Sequence, residues 1–216
     1  LLIIPKGPLW GSLLTTQTMI FNLFSEPIAL LAFLIALIIG LTVHEFAHAW
    51  IAYRLGDYTA KYAGRLSLNP SRHLDPMGTI FLLLIGFGWG KPVPINPNAL
   101  RSKYDELKIA LAGPASNILI AFVCVIPIHI GRILGFTPEA SVVLFIMETI
   151  VAINLLLAAF NILPIPPLDG STILKTLAPY SWQPQVRRLE HSGPMILFAL
   201  IFIEYILRIN IFVPVM

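Results

Sequence analysis

Long apolar runs separated by short polar segments dominate the chain. Residues 28–52 form the first run, and residues 109–131 and 141–163 form two more. Each run is long enough to cross about 30 Å of hydrocarbon as a helix. A last apolar segment, residues 194–213, predicts at least one further C-terminal span. The pattern therefore predicts an all-α polytopic membrane protein with a core of three spanning helices.

Proline divides the second of these runs. Gly113–Pro114 and Pro127 lie inside it, and both are expected to interrupt its helix. Elsewhere the apolar runs are free of proline until the third ends in NILPIPPLDG. The prolines of that motif predict a stop to regular helix before Asp169.

A shorter apolar segment, residues 77–90, has a different character. It is too short for a span, which needs about twenty residues, and it runs into the proline-rich KPVPINPN. The stretch GFGWG within it favours extended or turning backbone over helix. Irregular backbone at membrane depth is tolerated only where protein or a watery cavity satisfies its polar groups. We therefore predict a re-entrant hairpin that enters the membrane and returns to the same side.

Composition agrees with the membrane assignment. The 216-residue chain is 57% hydrophobic and only 12% charged, whereas soluble domains are about 25% charged. Its net charge is only +3, and the basic residues lie in connecting segments, which favours membrane orientation over nucleic-acid binding. We expect residues 1–18 to be an N-terminal extension of unassigned role and residues 19–216 to form one membrane-embedded domain.

The distribution of Lys and Arg supports the hairpin. If residues 77–98 enter the membrane and return, eleven of the fourteen Lys and Arg share one face, which the positive-inside rule makes cytoplasmic. A crossing segment would divide them between both faces. The residues that share the face are Arg54, Lys61, Arg65, Arg72, Lys91, Arg101, Lys103, Lys108, Lys175, Arg187 and Arg188.

The motif HEFAH, residues 44–48, places ionisable groups within the first span. Positions i and i+4 lie on one face of a helix, so His44 and His48 can bind one metal ion. Glu45 then lies where it can take a proton from water. The alternative is a set of interfacial polar residues at a helix end, but it leaves three polar groups near lipid without partners.

Two histidines leave a catalytic zinc site short of one protein ligand. The metzincin pattern is excluded because Ile51 and Arg54 occupy its glycine and histidine positions. Asp57 and Asp75 lie in the polar loop beyond the helix. Asp169 directly follows the third span, which descends to the side on which the HEFAH helix ends, so it can reach the histidines. Alternatively, Asp169 caps a helix that starts at Ser171.

Further polar side chains are expected near the same depth. Asn117 opens the second span and Asn161 ends the third. Their amides are candidate donors to a peptide carbonyl or oxyanion, or are interhelical hydrogen-bond partners. His73 precedes the hairpin on the same side, where a role beside the substrate or behind the site is possible.

Three motifs together resemble the site-2 protease family of intramembrane zinc metalloproteases. They are HEFAH, GPASN at the start of the second span, and NILPIPPLDG at the end of the third. The stretch GRLSLNPSRHLDPMGTIFLLLIGFGWGKPVPINP is similar to the compact bacterial and archaeal branch, without PDZ or CBS domains. The resemblance covers about residues 20–180 and implies His44, His48 and Asp169 as ligands of one zinc ion, with Glu45 as the catalytic carboxylate.

The resemblance also implies a substrate and a location. Gly86, Phe87 and Gly88 would belong to a membrane hairpin that holds the substrate as an added strand. The expected reaction is hydrolysis of a peptide bond within or next to a transmembrane segment, in a prokaryotic cell membrane, with the active site near the cytoplasmic side. The bilayer and a transmembrane-segment peptide are the expected partners.

Two other functions compete with proteolysis. A metal transporter would need polar groups staged across the bilayer, whereas here they cluster at one depth. A pseudoprotease would bind membrane helices without cutting them, and the intact Glu45 argues against it.

Overall fold

A computed structural model describes residues 26–85, 88–137 and 141–207, with the backbone alone at 83–85 and 204–207. The predicted extension at 1–18, the hairpin residues Gly86 and Phe87, and the end of the predicted last span lie outside the described residues. In the described part all regular structure is helical, apart from one antiparallel bridge between Leu74 and Gly90.

Three helices form the centre of the molecule. They are α1 (Pro27–Arg54), α4 (Lys103–Ile133) and α5 (Val142–Ile162), and each is long and apolar enough to cross a membrane. This confirms the three predicted core spans and an integral, multi-pass membrane protein. The remaining helices are α2 (Thr59–Tyr62), α3 (Pro76–Ile85), α6 (Asp169–Leu177) and α7 (Gln183–Leu207), with short 3-10 turns at Pro70–Arg72, Pro97–Ala99 and Tyr180–Trp182.

The helix α4 differs from its prediction in two ways. It begins at Lys103, because a capping box forms in which Ser102 and Asp105 satisfy each other's backbone N–H groups. It also continues through Pro114 and Pro127, which we expected to interrupt it. Proline within a spanning helix is tolerated where neighbouring helices and local adjustments satisfy the freed backbone groups.

Small residues let the three core helices approach closely. Ala32, Ala36 and Gly40 recur every four residues on α1 and are buried against the other helices. A Cβ atom added at Gly40 would lie only 2.8 Å from Leu157 Cδ1 on α5. Small residues at such spacing are typical of membrane helix interfaces, where close van der Waals packing replaces the hydrophobic effect. The close fit of these small residues therefore sets how the three core helices pack against one another.

The segment between α1 and α4 folds back on itself. The helix α3 has ten residues and a length of about 15 Å. After it the chain returns, and Lys91 N–H donates to His73 O at 2.7 Å beside the Leu74–Gly90 bridge. Cβ atoms added at Gly78 and Gly88 would both clash with the backbone of the opposite arm. Whether this folded-back segment enters the membrane stays a prediction.

The connection from α5 to α6 brings Asp169 back toward α1. The Pro166–Pro167 bond is cis, and regular helix resumes at Asp169 itself. The expected helix start at Ser171 is therefore two residues late. Leu168 occupies the cap position and has no side-chain cap, so Asp169 does not serve as the helix cap. At the C-terminal end, α7 covers the first part of the predicted last span, which stays a prediction.

Candidate metal centre and active site

Two histidines of α1 face the same point. The spacing of four residues places His44 and His48 on one helix face, and both are buried at 4% and 7% exposure. Their rings meet edge to face, and the two Nε2 atoms lie 3.0 Å apart.

The structure brings Asp169 to the same point. Its Oδ2 atom lies 3.2 Å from His44 Nε2 and 3.3 Å from His48 Nε2. The three residues together form a group that can hold a metal ion, with ligand atoms within 4.8 Å of one another. Residues that are more than a hundred positions apart in sequence thus converge within the helical core.

Hydrogen bonds fix which nitrogen of His44 carries its proton. Asn117 Nδ2 donates to Gly40 O at 3.1 Å and to Asn154 Oδ1 at 2.9 Å. The amide of Asn117 must therefore turn its Oδ1 atom toward His44 Nδ1, which lies 2.7 Å away. Since Oδ1 can only accept, His44 Nδ1 is the donor, and in the neutral ring Nε2 keeps a lone pair.

The same reasoning applies to His48. Its Nδ1 atom lies 2.7 Å from Ile109 O, a carbonyl that can only accept. Nδ1 therefore donates, and Nε2 of the neutral ring again carries a lone pair. A histidine that ligates a metal through one nitrogen commonly donates the other N–H to a carbonyl or an amide in this way.

With both rings neutral, three electron-pair donors converge with no proton between them. Two imidazole nitrogens face each other at 3.0 Å, and a carboxylate oxygen faces both. Among the described residues, the buried Oδ2 atom of Asp169 has no hydrogen-bond donor of acceptable geometry. Such a group is repulsive until a cation occupies its centre. Two imidazoles and one carboxylate are the ligand set of a catalytic zinc site, so these residues fit zinc.

A glycine of α4 makes room for this group. A Cβ atom added at Gly113 would lie 2.5 Å from His48 Nε2 and 2.6 Å from His44 Nε2. These distances are far shorter than any van der Waals contact, and both rings are held by their hydrogen bonds. Only glycine at this position lets α4 pack directly against the ligand atoms.

Glu45 lies beside the metal group on the wall of a cavity. The cavity has a volume of about 570 Å³, and Glu45, both histidines and Asp169 line one part of it. The rest of the lining is largely aliphatic and comes mainly from α1, the segment 74–97, α4 and the end of α5, with a few residues from the start of α6 and from α7. The group is thus open on one side to a space of the size that binding sites usually have.

Arg65 ties this carboxylate to the folded-back segment. It is 4% exposed, and its Nη2 atom lies 3.9 Å from Glu45 Oε2. It donates to Pro92 O at 2.8 Å and also to Lys91 O. A single buried guanidinium therefore contacts both Glu45 and the backbone of the cavity wall.

The less central predicted residues fall in different places. Asn161 lines the cavity together with Asp169, and one of its N–H groups donates to Leu157 O at 2.9 Å. Asn117 is fully buried behind His44, with both N–H groups used, so it has none for an oxyanion. The observed contacts of Asn117 match the other prediction made for it, that it forms interhelical hydrogen bonds. Gly88 lines the cavity, whereas Gly86 and Phe87 lie outside the described residues.

His73 is fully buried within the loop before α3. Its Nε2 atom donates to Ser67 O at 2.6 Å, and its backbone oxygen accepts from Lys91. Direct contact with a substrate is therefore closed to this side chain, which supports the folded-back segment from behind.

The two loop aspartates have partners of their own. Asp57 accepts from the backbone N–H groups of Thr59 and Asn96. Burial alone would raise the pKa of Asp57, but these hydrogen bonds hold the pKa below its usual value. Asp75 accepts from Gly78 N–H at 2.8 Å at the start of α3. Neither carboxylate belongs to the metal group.

Three residues of the site were missed from the sequence. Asn154 is a fully buried amide in the middle of α5, and a polar residue inside IVAINLLLAAF was a signal that could have identified it. Gly113 and Arg65 gave no such signal. Their importance depends on which helix and which backbone carbonyls lie opposite them.

Comparison with known proteins identifies related chains. Residues 126–204 match the profile of peptidase family M50. YwhC of Bacillus subtilis is 38% identical over 182 residues, which cover 82% of this chain and 83% of YwhC. MJ0611 of Methanocaldococcus jannaschii is 35% identical over 173 residues, which cover 74% of this chain and 79% of MJ0611.

A more distant relative is Rip2 of Mycobacterium tuberculosis, 30% identical over 172 residues. These residues cover 77% of this chain and 62% of Rip2. All three relatives are named as putative zinc metalloproteases. No solved structure matches the chain significantly. The chain belongs to peptidase family M50, the site-2 protease family of zinc metalloendopeptidases.

Proposed function

We propose that the protein hydrolyses a peptide bond within or next to a transmembrane segment of a membrane-protein substrate. One observation carries the proposal: the group of His44, His48 and Asp169, with Glu45 beside it, opens onto an apolar cavity among spanning helices. A water-soluble substrate would not require an aliphatic cavity at this depth. Regulated proteolysis and clearance of membrane peptides are both compatible uses of such an activity.

Each residue of the site has an assigned role. His44, His48 and Asp169 hold the zinc ion. When bound, zinc supplies Lewis acidity, which lowers the pKa of water and polarises the scissile carbonyl. Asn117 and Ile109 O hold the two imidazoles in the tautomer that presents Nε2, as ligand orientation requires.

Glu45 moves the proton. Its carboxylate accepts a proton from the attacking water as the new C–O bond forms at the peptide carbonyl. It then delivers that proton to the amine nitrogen as the C–N bond breaks. Asn161 lines the same cavity, and the second N–H of its amide is assigned to the developing oxyanion.

The folded-back segment holds the substrate. A helical substrate hides its carbonyls in its own hydrogen bonds, so it must unwind locally before water can attack. We assign this role to the stretch Gly86, Phe87 and Gly88, whose backbone would pair with the unwound peptide by β-strand addition and so offset the broken bonds. Gly88 and Gly90 line the cavity, as this role requires.

The membrane arrangement follows from charge. The segment 77–98 acts as a re-entrant hairpin, the eleven Lys and Arg of the connecting segments face the cytoplasm, and the C-terminal apolar segment forms a further span. The metal group then lies near the cytoplasmic side of a prokaryotic cell membrane, where water can reach it.

The test is Glu45→Gln in purified protein, with a single-span reporter in detergent or liposomes. The variant keeps its zinc, because Glu45 is not a ligand, and loses cleavage by about 10²- to 10⁴-fold. Glu190→Gln is the matched control, since Glu190 pairs with Lys175 outside the cavity. Equal cleavage by wild type and Glu45→Gln would refute the assigned base. A wild type that binds the reporter and zinc without cutting would instead indicate a pseudoprotease.

A further inference from the structure

One ionisable side chain lines the cavity without a part in the chemistry assigned above. Glu106 lies in the first turns of α4 and is half-buried. Ile109 and Ala110, three and four residues later, line the same cavity. These positions share one helix face, so the α4 wall presents a carboxylate at one end and apolar surface beyond it.

The position of Glu106 relative to the metal group follows from helix geometry. Gly113 packs against both imidazoles, and it lies seven residues after Glu106 on α4. A rise of about 1.5 Å per residue places Glu106 roughly 10 Å from the metal group, toward the N-terminal end of α4. An extended peptide covers that distance in about three residues.

Among the described residues that line the cavity, no positive side chain neutralises Glu106. Apart from the metal group and Glu45, Glu106 is the only ionisable residue that the described lining contains. The described lining contains no Lys or Arg, and the ion pairs of the described residues do not include Glu106. A carboxylate in a cavity with largely aliphatic walls favours a cation more strongly than it would in open water.

We infer that Glu106 is a specificity-determining residue that binds a Lys or Arg side chain of the substrate, about three residues from the scissile bond. The inference rests on the proposed function and adds a subsite to it. The basic residue lies on the substrate flank that leaves toward the N-terminal end of α4. Membrane spans carry Lys and Arg on their cytoplasmic flanks, so such a residue is available at this end of the cavity.

Glu106 also has an ordinary explanation. An acidic residue in the first turn of a helix interacts favourably with the helix dipole. That role is independent of the substrate, whereas a specificity role couples the charge at position 106 to the charge of the substrate. A charge-exchange experiment distinguishes the two.

The experiment uses purified, zinc-loaded protein and a single-span reporter whose cleavage site is first mapped by mass spectrometry. Reporters carry Lys, Gln or Glu at each of positions two to five on either side of that site. The wild type prefers Lys over Glu at one position near the third by about fivefold in kcat/KM, the range of a partly exposed ion pair. Glu106→Gln abolishes this preference, and Glu106→Lys reverses it.

Zinc content and cleavage of the Gln reporter show that each variant is folded. Glu190→Gln, which removes a carboxylate outside the cavity, keeps the wild-type preference for Lys. Glu45-dependent cleavage with no charge preference, or a preference that survives in Glu106→Gln, would overturn this inference alone. Absence of Glu45-dependent cleavage of every reporter would overturn the proposed function and the subsite with it.

Discussion

The two sides of the cavity are held together by different means. On one side, α1, α4 and α5 pack through small residues, and Asn117 and Asn154 join them by side-chain hydrogen bonds with no exposure to solvent. On the other side, the segment from Arg65 to residue 97 is held by contacts with its backbone. Arg65 binds two carbonyls there, and a single bridge joins Leu74 to Gly90.

This difference separates two requirements of a protease. Metal ligands must stay within a fraction of an ångström of their working geometry, which rigid helices with locked side chains provide. A surface that receives an unwound peptide has to adjust to it, and segments with few packed contacts open at lower free-energy cost. Under the proposed function, the helical side defines the chemistry and the folded-back side is the part assigned to receive the substrate.

The largest expected effect comes from filling the space beside the metal group. Gly113→Ala places a methyl group 2.5–2.6 Å from both imidazoles, so the rings must move and zinc binding is lost. Zinc content and reporter cleavage measure the effect. Gly131→Ala on the same helix is the control, because its Cβ meets only the flexible Leu144 side chain. Wild-type zinc content in Gly113→Ala would show that the helical side is not rigid.

A graded effect is expected from the amides behind His44. Asn117→Leu removes the acceptor for His44 Nδ1, and such changes cost about 10- to 100-fold in metal affinity. Asn154→Leu acts one step further away and costs less. Asn161→Leu, on the cavity side, keeps the zinc affinity and lowers kcat. Competition titration with a zinc chelator and reporter kinetics separate the three variants. Equal zinc affinities in all three variants would show that the amide network does not contribute to zinc binding.

The smallest effect is expected at the folded-back side. Arg65→Lys keeps a cation beside Glu45, but an ammonium cannot reproduce the planar fork that serves two carbonyls. A lost hydrogen bond to a charged donor is worth about 1.5 kcal/mol, so KM for the reporter rises roughly tenfold. Zinc affinity stays unchanged, and the exposed Arg72→Lys serves as the control. Loss of zinc in Arg65→Lys would instead show that Arg65 helps to hold the metal ligands in place.

The sequence predicted the helical side better than the folded-back side, for a physical reason. The length and apolarity of a membrane span are visible in the sequence, and α1 and α5 lie within two residues of their expected bounds. The metal group could be predicted equally well, because helical periodicity pairs His44 with His48 and chain direction returns Asp169 to the same side. The capped start of α4 was missed because its first turn is polar.

The remaining features depend on what lies opposite each residue. Gly113 matters because the two imidazoles face it, and no property of the sequence AGPASN states that. The partners of Arg65 are backbone carbonyls, which every residue carries, so they leave no mark in the sequence. Pro114 and Pro127 were expected to interrupt α4, but the helix continues through both, as membrane helices can where the freed backbone groups find other partners.

The aliphatic lining of the cavity also sets the terms for a small-molecule inhibitor. A hydrophilic chelator would bind the zinc ion but would leave Leu37, Ile38 and Leu41 facing water. A compound with an elongated apolar body gains about 25 cal/mol for each Å² of that surface it covers. A basic substituent roughly 10 Å from its chelating group would reach Glu106. Selectivity over soluble zinc enzymes would then come from the apolar body and the basic substituent, because the chelating group alone binds zinc in any of these enzymes.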